Sequence, residues 1–360
     1  MTNKKQKKVF VGLSGGVDSA VAAHLLLQQG YNVTAVFMQN WDQESQQGCT
    51  AEQDLADALT ISAKLNIPIE VVNFATNYWD EVFEEFLTAH KHGLTPNPDI
   101  LCNSKIKFKH FLNFAINNGA DFIATGHYAA ITNESGLYSL QVPSDRNKDQ
   151  TYFLHALNQM QLSRSLFPLA HLCKEEVRDI AHKLSLTVHD KKDSTGICFI
   201  GNKNYNKFLS EYMLARPGKI VSAAGDLLGS HKGLIYYTIG QRKGIGLGGD
   251  RAFDPDPWYV VDKEHKSNRL IVAQGTENPL LYKKNLTCTD IHWIKGKEAD
   301  LPLRCTAKVR YRQQAQICTI EKKDKCYVVS FEMPQRAVTP GQYIVFYDNK
   351  LCLGGAVIVQ

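Results

Sequence analysis

Near its start the chain carries a turn suited to holding an anion. The run Gly12-Leu13-Ser14-Gly15-Gly16-Val17-Asp18-Ser19 follows the apolar stretch Val9 to Leu13. It precedes Val17, Ala20, Val21, His24, Leu25 and Leu27, which recur at helical spacing until Gly30. This pattern reads as strand, tight turn, helix and glycine stop. Glycines let the backbone turn sharply, and the N–H groups of a first helical turn point at whatever sits before it, so a phosphate is the natural occupant. The plainer alternative is a glycine-rich strand-to-helix turn with a capping Asp or Ser. The lysine and four-residue spacer of the Walker loop are missing.

A second reactive candidate is Cys102, in Thr95-Pro96-Asn97-Pro98-Asp99-Ile100-Leu101-Cys102-Asn103-Ser104. The prolines predict an extended loop, with a helix beginning at Asn103 or Ser104. A thiol at a helix N-terminus, with Lys105 and Lys107 nearby, has its reactive thiolate favoured, and Asp99 stands where it can pass a proton. The chain has nine cysteines, an odd total with no C-x-x-C pair, which argues against a disulfide framework and a structural zinc site. No metal ligand set is expected. By periodicity Cys198, in Asp193-Ser194-Thr195-Gly196-Ile197-Cys198-Phe199-Ile200, is a buried strand residue. Cys49, Cys173, Cys288, Cys305, Cys318, Cys326 and Cys352 read as small buried hydrophobes.

The elements that must position these residues alternate. Strand-like Val33 to Met38, helical Ala51 to Leu65 and strand-like Ile69 to Phe74 are followed by helical Trp79 to His90, helical Ser104 to Asn117 and strand-like Phe122 to Thr125. Such alternation predicts an α/β unit with a parallel sheet, whose ligands bind beyond the carboxyl ends of the strands. Ser14 to Ser19, Met38 and Gly126 all fall there. From about Asn202 helical signals fade and glycines crowd the chain from Gly225 to Gly249, which predicts a small loop-rich middle domain over 202–275. After about Thr276 short alternating runs, among them Arg304 to Arg312, Tyr343 to Tyr347 and Leu351 to Val359, predict a C-terminal β-barrel over 276–360.

Composition is that of a globular protein, with 44% hydrophobic and 21% charged residues over 360 positions. The net charge of +5 favours a polyanionic partner weakly, since Lys4, Lys5, Lys7 and Lys8 form an arm that can equally be a solvated tail. There is no apolar run of about 18 residues and no secretory signal, so a cytoplasmic location without membrane attachment is expected. On a strand Ala307 to Arg312, alternation puts Lys308, Arg310 and Arg312 on one face, either a solvated face or a surface for RNA. The segment Gly240 to Gly246 reads as a backbone-gripping loop or as a hairpin turn with a charged tip.

The turn resembles the PP-loop, S-G-G-x-D-S, which in related enzymes grips the pyrophosphate of ATP and transfers AMP onto an oxygen. The order G-L-S-G-G-V-D-S, N-P-D-I-x-C-N, A-T-G-H-Y-A, K-D-Q-T-Y-F-L, D-S-T-G-I-C-F-I and Y-T-I-G-Q-R-K-G, covering nearly the whole chain, is similar to the family of bacterial tRNA-specific 2-thiouridylases. The resemblance implies a PP-loop catalytic domain over 1–201 using ATP with magnesium, and a tRNA-binding middle domain. It implies that Gly12 to Ser19, Met38 and Gly126 contact ATP, and that Asn97, Pro98 and Asp99 meet the target base. It further implies tRNA contacts at His127, Lys148, Asp149, Gln150, Arg310, Tyr311 and Gln342. Cys198 would receive sulfur as a persulfide from a donor such as a cysteine desulfurase, Cys102 would release or resolve it, and a transient disulfide between them would close the turnover. A monomer is expected. Competing readings keep the loop but use a nitrogen nucleophile, or make the chain an RNA-binding module that merely holds nucleotide.

Overall fold

Alternation along the first strand sets two cores. In β1 (Lys8–Gly12) Val9 and Val11 point to one face of a sheet and Phe10 to the other, and all three are fully buried. The structure is a computed structural model that describes residues 6–41, 51–191, 205–247, 256–324 and 326–359. β1 pairs in parallel with β2 (Asn32–Gln39), which pairs with β3 (Ile69–Asn73), and on its other side β1 pairs with β4 (Phe122–Ala124). The chain then makes a hairpin of β5 (Ala130–Glu134) and β6 (Leu137–Gln141) before β7 (Ser165–Leu166) completes a five-stranded sheet in the order β3-β2-β1-β4-β7. Val9 and Val11 pack with α1 (Val17–Gln28) and the helix Lys174–Lys183. Phe10 packs with Phe83, Phe108 and Phe111 from helices on the opposite face.

The helix carrying Cys102 begins earlier than its prolines suggest. It starts as Pro98–Leu101, widens into a π-helical Cys102–His110 and ends as Phe111–Asn117. Asn97 caps it, its Oδ1 accepting from the Asp99 N–H at 3.1 Å. Pro98 sits at the first helical position, where its missing N–H has no intrahelical partner to lose. Cys102 is therefore one turn inside the helix, and the expectation of a thiol at a helix N-terminus is corrected. The run expected over Trp79 to His90 likewise starts earlier, as Ala75–Tyr78, and passes through a π-helical Trp79–Phe83 into Glu84–Lys91.

The glycine-crowded middle holds a four-stranded sheet of β8 (Gly218–Ser222), β9 (Leu227–His231), β10 (Trp258–Glu264) and β11 (Arg269–Gln274), around a small core of Ile220, Val260, Leu270 and Val272. The C-terminal strands are β12 (Tyr282–Cys288), β13 (His292–Trp293), β14 (Leu303–Lys308), β15 (Gln316–Lys323), β16 (Cys326–Arg336), β17 (Tyr343–Asp348) and β18 (Leu351–Val357). They run in the order β12-β16-β15-β14-β17-β18. Bonds from Thr289 N–H to Val357 O at 3.0 Å and from Val359 N–H to Thr287 O at 2.9 Å bring the first strand back to the last and close the barrel. Among the described residues no helix is long and apolar enough to cross a membrane.

Strand pairing ties the ends of the chain together. β6 pairs with β18, so the hairpin of the N-terminal part extends the barrel sheet. The expected strand Ala307 to Arg312 stops at Lys308, because the Gln313 side chain accepts the Val309 N–H at 3.0 Å and turns the chain there. The single cationic face is thus broken up. Lys308 turns inward to Asp149 at 2.7 Å, the two side chains being 14% and 3% exposed. Lys308→Ala would leave the Asp149 carboxylate buried without its cation, at a cost of about 3 to 5 kcal/mol. A large fall in urea midpoint is expected, partly restored in the double variant Asp149→Asn, Lys308→Met. A single variant as stable as the parent would remove this pair from the account.

Candidate active site

The turn after β1 lies at the carboxyl ends of β1 and β4, where the connections leave the sheet in opposite directions and a crevice opens. Gly15 adopts φ +71°, and a Cβ there would strike the Asp54 carbonyl oxygen. The Ser14 N–H donates to Ser19 Oγ at 3.2 Å, and Ser19 Oγ donates to Gly16 O at 3.0 Å. The loop is therefore closed on itself before any ligand arrives. Met38 and Gly126 stand beside it. The Met38 methyl group lies 3.0 Å from where a Gly12 Cβ would be, and a Gly126 Cβ would come within 2.7 Å of the Ser19 nitrogen. The residues expected to contact ATP thus converge.

Two lysines brace this loop, and sequence reading missed both. Lys174 donates to Asp18 Oδ1 at 2.7 Å, and the Tyr128 hydroxyl donates to the same oxygen at 2.9 Å. Lys191 reaches Asp54 at 2.7 Å, Asp57 at 2.6 Å and the Gly15 carbonyl at 3.0 Å. Partial burial works against the Lys191 charge, but the hydrogen bonds and charges of Asp54 and Asp57 outweigh it and raise its pKa. No spacing signal links a lysine 176 residues away to Gly15.

Cys102 is 2% exposed and lies in the aromatic core with Phe83 and Phe108. Asp99 lies three residues earlier on the same helix face. Asn103 is 3% exposed; its Nδ2 donates to Phe153 O at 3.2 Å, while its Oδ1 finds no donor among the described residues. Phe111 of the same helical run lies against Gly12, so that run links Cys102 to the anion-holding turn. Cys198 and Cys49 lie outside the described residues.

The residues expected to meet tRNA divide into several environments. The His127 ring lies tilted to Phe108 and edge-on to Phe167, and its Nδ1 is 2.7 Å from Thr125 Oγ1. Burial, with the charge of Lys107 adding to it, holds its pKa well below the usual histidine range, so the ring is neutral at physiological pH. Asp149 is turned inward: one oxygen meets Lys308 and the other accepts from the Thr151 N–H and hydroxyl at 3.0 and 2.6 Å. Gln150 Oε1 accepts from the Tyr128 N–H at 2.8 Å, and Lys148 is half-buried. Tyr311 packs on Phe153, ring centres 4.4 Å apart. Arg310 donates to Ala337 O at 2.9 Å and to Ile239 O at 3.4 Å, joining the barrel to the middle domain, while Arg312 is exposed. Gln342 Nε2 donates to Thr95 O at 2.6 Å, and the Thr95 N–H donates to Pro340 O at 3.0 Å. The barrel thus grips the chain just ahead of Asn97.

A parallel sheet with a glycine cradle at the carboxyl end of its central strand defines an adenine-nucleotide-binding α/β protein of the PP-loop class. Residues 7–202 match the family described as the tRNA methyl transferase HUP domain, 206–274 its PRC-barrel domain, and 283–358 an aminomethyltransferase beta-barrel domain. The chain is 53% identical over 355 residues to the tRNA-specific 2-thiouridylase MnmA of Legionella pneumophila strain Paris, covering 98% of each. It is 51% identical over 357 residues to the protein of that name from Stutzerimonas stutzeri strain A1501, covering 99% of this chain and 95% of that one. The chain belongs to the family of tRNA-specific 2-thiouridylases. The U34-tRNA thiolase NcsA of Methanococcus maripaludis overlays 53% of this chain and 60% of its own at 21% identity and a TM-score of 0.36, an overlap too small to argue from.

Gly126→Ala should push Ser19 and its helix away from the nucleotide while leaving the fold intact. A loss of ATP affinity of about tenfold to a hundredfold is expected from such a displacement, read by calorimetric titration. Unchanged affinity would take Gly126 out of the site.

Proposed function

We propose that the chain uses ATP to replace the C2 oxygen of the wobble uridine of tRNA with sulfur, giving 2-thiouridine, AMP and pyrophosphate. The observation that carries this reading is the likeness to proteins named 2-thiouridylases over 98% of both chains. The uridine C2 oxygen attacks the α-phosphorus of ATP and pyrophosphate leaves, so that a poor leaving group becomes AMP. The terminal sulfur of a persulfide on Cys198 then attacks C2, and AMP departs with the former carbonyl oxygen. Cys102 thiolate attacks Cys198 Sγ, breaks the sulfur–sulfur bond and forms a Cys102–Cys198 disulfide, which an external thiol reduces.

Gly12 to Ser19, Met38 and Gly126 would hold ATP, and the cradle that added Cβ atoms would fill supports that role. Magnesium would accompany the phosphates and offset their charge. Asn97, Pro98 and Asp99 would receive the base, with Asp99 one helical turn from Cys102 as a proton carrier. His127, Lys148, Gln150, Arg310, Tyr311 and Gln342 would border the bound tRNA, and a cysteine desulfurase or relay protein would supply the persulfide. We take the boundaries to fall after residues 201 and 275, and the protein to act as a cytoplasmic monomer.

Purified protein with ATP, magnesium, a persulfide donor and unmodified tRNA should form 2-thiouridine, detected by nucleoside mass spectrometry. Absence of the thiolated base would sink the proposal. Cys198→Ala should abolish thiolation yet leave adenylation of tRNA detectable, because activation precedes sulfur delivery. Full activity in the Cys102→Ser, Cys198→Ser double variant would instead favour a nitrogen nucleophile.

A further inference from the structure

A cavity of about 620 Å³ has in its wall Thr95, the residue that the barrel turn grips. Its walls come from His90 at the end of the helix Glu84–Lys91, from Tyr205 at the start of the helix Tyr205–Tyr212, and from the middle-domain segment that carries Lys232, Tyr236 and the loop to Gly246. Among the described residues, none of those used to build the reaction above, from the phosphate turn to Cys102, lines it.

The aromatic walls are held in place. His90 is 3% exposed, and burial lowers its pKa to about 4 against the bond to Phe86 O, so the ring is neutral. Its Nδ1 is 3.0 Å from Phe86 O, which only a protonated Nδ1 can satisfy, and this leaves Nε2 as an acceptor. The Tyr205 hydroxyl therefore donates to Nε2 at 2.8 Å and its ring is fixed against the cavity. Tyr236 ends the 3-10 turn Leu234–Tyr236 and is partly buried between two hydrophobic cores.

The rim is cationic and preorganised. Lys232 and Lys243 are exposed there, and the lining includes no carboxylate among the described residues. Gln241 braces the loop, its Oε1 accepting from the Thr238 N–H at 3.0 Å and its Nε2 donating to Lys243 O at 2.9 Å. The Gly240 N–H donates to Val260 O at 2.7 Å, and the Val260 N–H donates to Gln241 O at 3.0 Å, which anchors the loop to β10. Gly244 and Gly246 take φ of +79° and +82°, and their N–H groups have no acceptor among the described residues. Two tyrosines in the wall, with two lysines and glycine N–H groups at the same cavity, suit a ligand with a flat ring and an adjoining phosphate.

We propose that this cavity is a second nucleotide pocket, which takes the nucleotide next to the reacting uridine in the anticodon loop. Its base lies against Tyr236 and Tyr205, and its phosphate meets Lys232, Lys243 and the Gly244–Gly246 backbone. The inference rests on the reading that tRNA is the substrate and that Asn97 to Asp99 receive the target base. Thr95, in the pocket wall, is two residues from Asn97, at most about 7 Å of chain. Splaying the neighbouring base into its own pocket would keep the target base unstacked and presented to the cysteine helix.

The test uses the full chain and an anticodon stem-loop, intact or abasic at the nucleotide on either side of the wobble uridine. One of the two abasic stem-loops should bind about tenfold more weakly than the intact one, the scale of one lost base–aromatic stack. Tyr236→Ala should weaken the intact stem-loop by a similar factor and leave binding of that abasic one unchanged, since a shared contact can be lost only once. Lys232→Ala, Lys243→Ala should flatten the salt dependence by a slope of about 0.7 for one single-stranded phosphate. ATP binding and the thermal midpoint of each variant check that it is folded. Abasic stem-loops that bind like the intact one, or strictly additive losses, would overturn the pocket. So would AMP or UMP binding that depends on Tyr236 while stem-loop binding does not. If the parent protein thiolates whole tRNA but shows no abasic effect, this inference fails alone; if it binds no tRNA, the reading beneath it fails too.

Discussion

The chain from Leu94 to Asn103 is held from both ends, and the site depends on that. On one side the barrel turn takes the Thr95 N–H through Pro340 O and the Thr95 carbonyl through Gln342. On the other, Asn97 caps a helix whose Phe111 rests against Gly12 of the anion-holding turn. The distance between thiol and phosphate is therefore set by a rigid helix rather than by a loop. The barrel, whose Gln342 is 247 residues further along the sequence than Thr95, acts as a clamp on the N-terminal domain as well as a fold of its own.

Charge is arranged to serve the same end. Asp18 begins the first helix and faces the crevice, where an anion is expected, yet Lys174 and Tyr128 neutralise and orient it from behind. Lys191 does the same for Asp54 and Asp57 while holding the Gly15 carbonyl away from the cradle. The result is a glycine turn at the start of a helix with the nearby carboxylates already paired, an arrangement suited to a polyphosphate. Lys308 and Asp149 form a further buried pair between barrel and N-terminal domain, so cations that alternation placed on an outer face are partly spent on joining domains.

Much of this was legible in the residues. Strands at Val9, Val33, Ile69 and Phe122 were marked by apolar runs between helical periods, and the structure has them in one parallel sheet. The helix Ala51–Leu65 has the bounds its periodicity predicts. The misreadings share a cause. Pro98 reads as a helix breaker until one sees that it occupies the first helical position, and Arg310 reads as a strand residue until Gln313 turns the chain. In both places a side chain captures a backbone N–H, and local pattern rules do not weigh such captures.

The sequence by itself determined the local elements, the glycine turn and the order of the chemical motifs, because these depend on backbone preference and on spacing along the chain. Only the tertiary structure decided that β5 and β6 join the barrel sheet, that Cys102 lies buried one turn inside a widened helix, and that lysines 174 and 191 stand behind the cradle. Those facts rest on contacts between residues far apart in sequence. Hydrogen bonding and burial select such contacts only once whole domains have packed, and no periodicity in the chain records them.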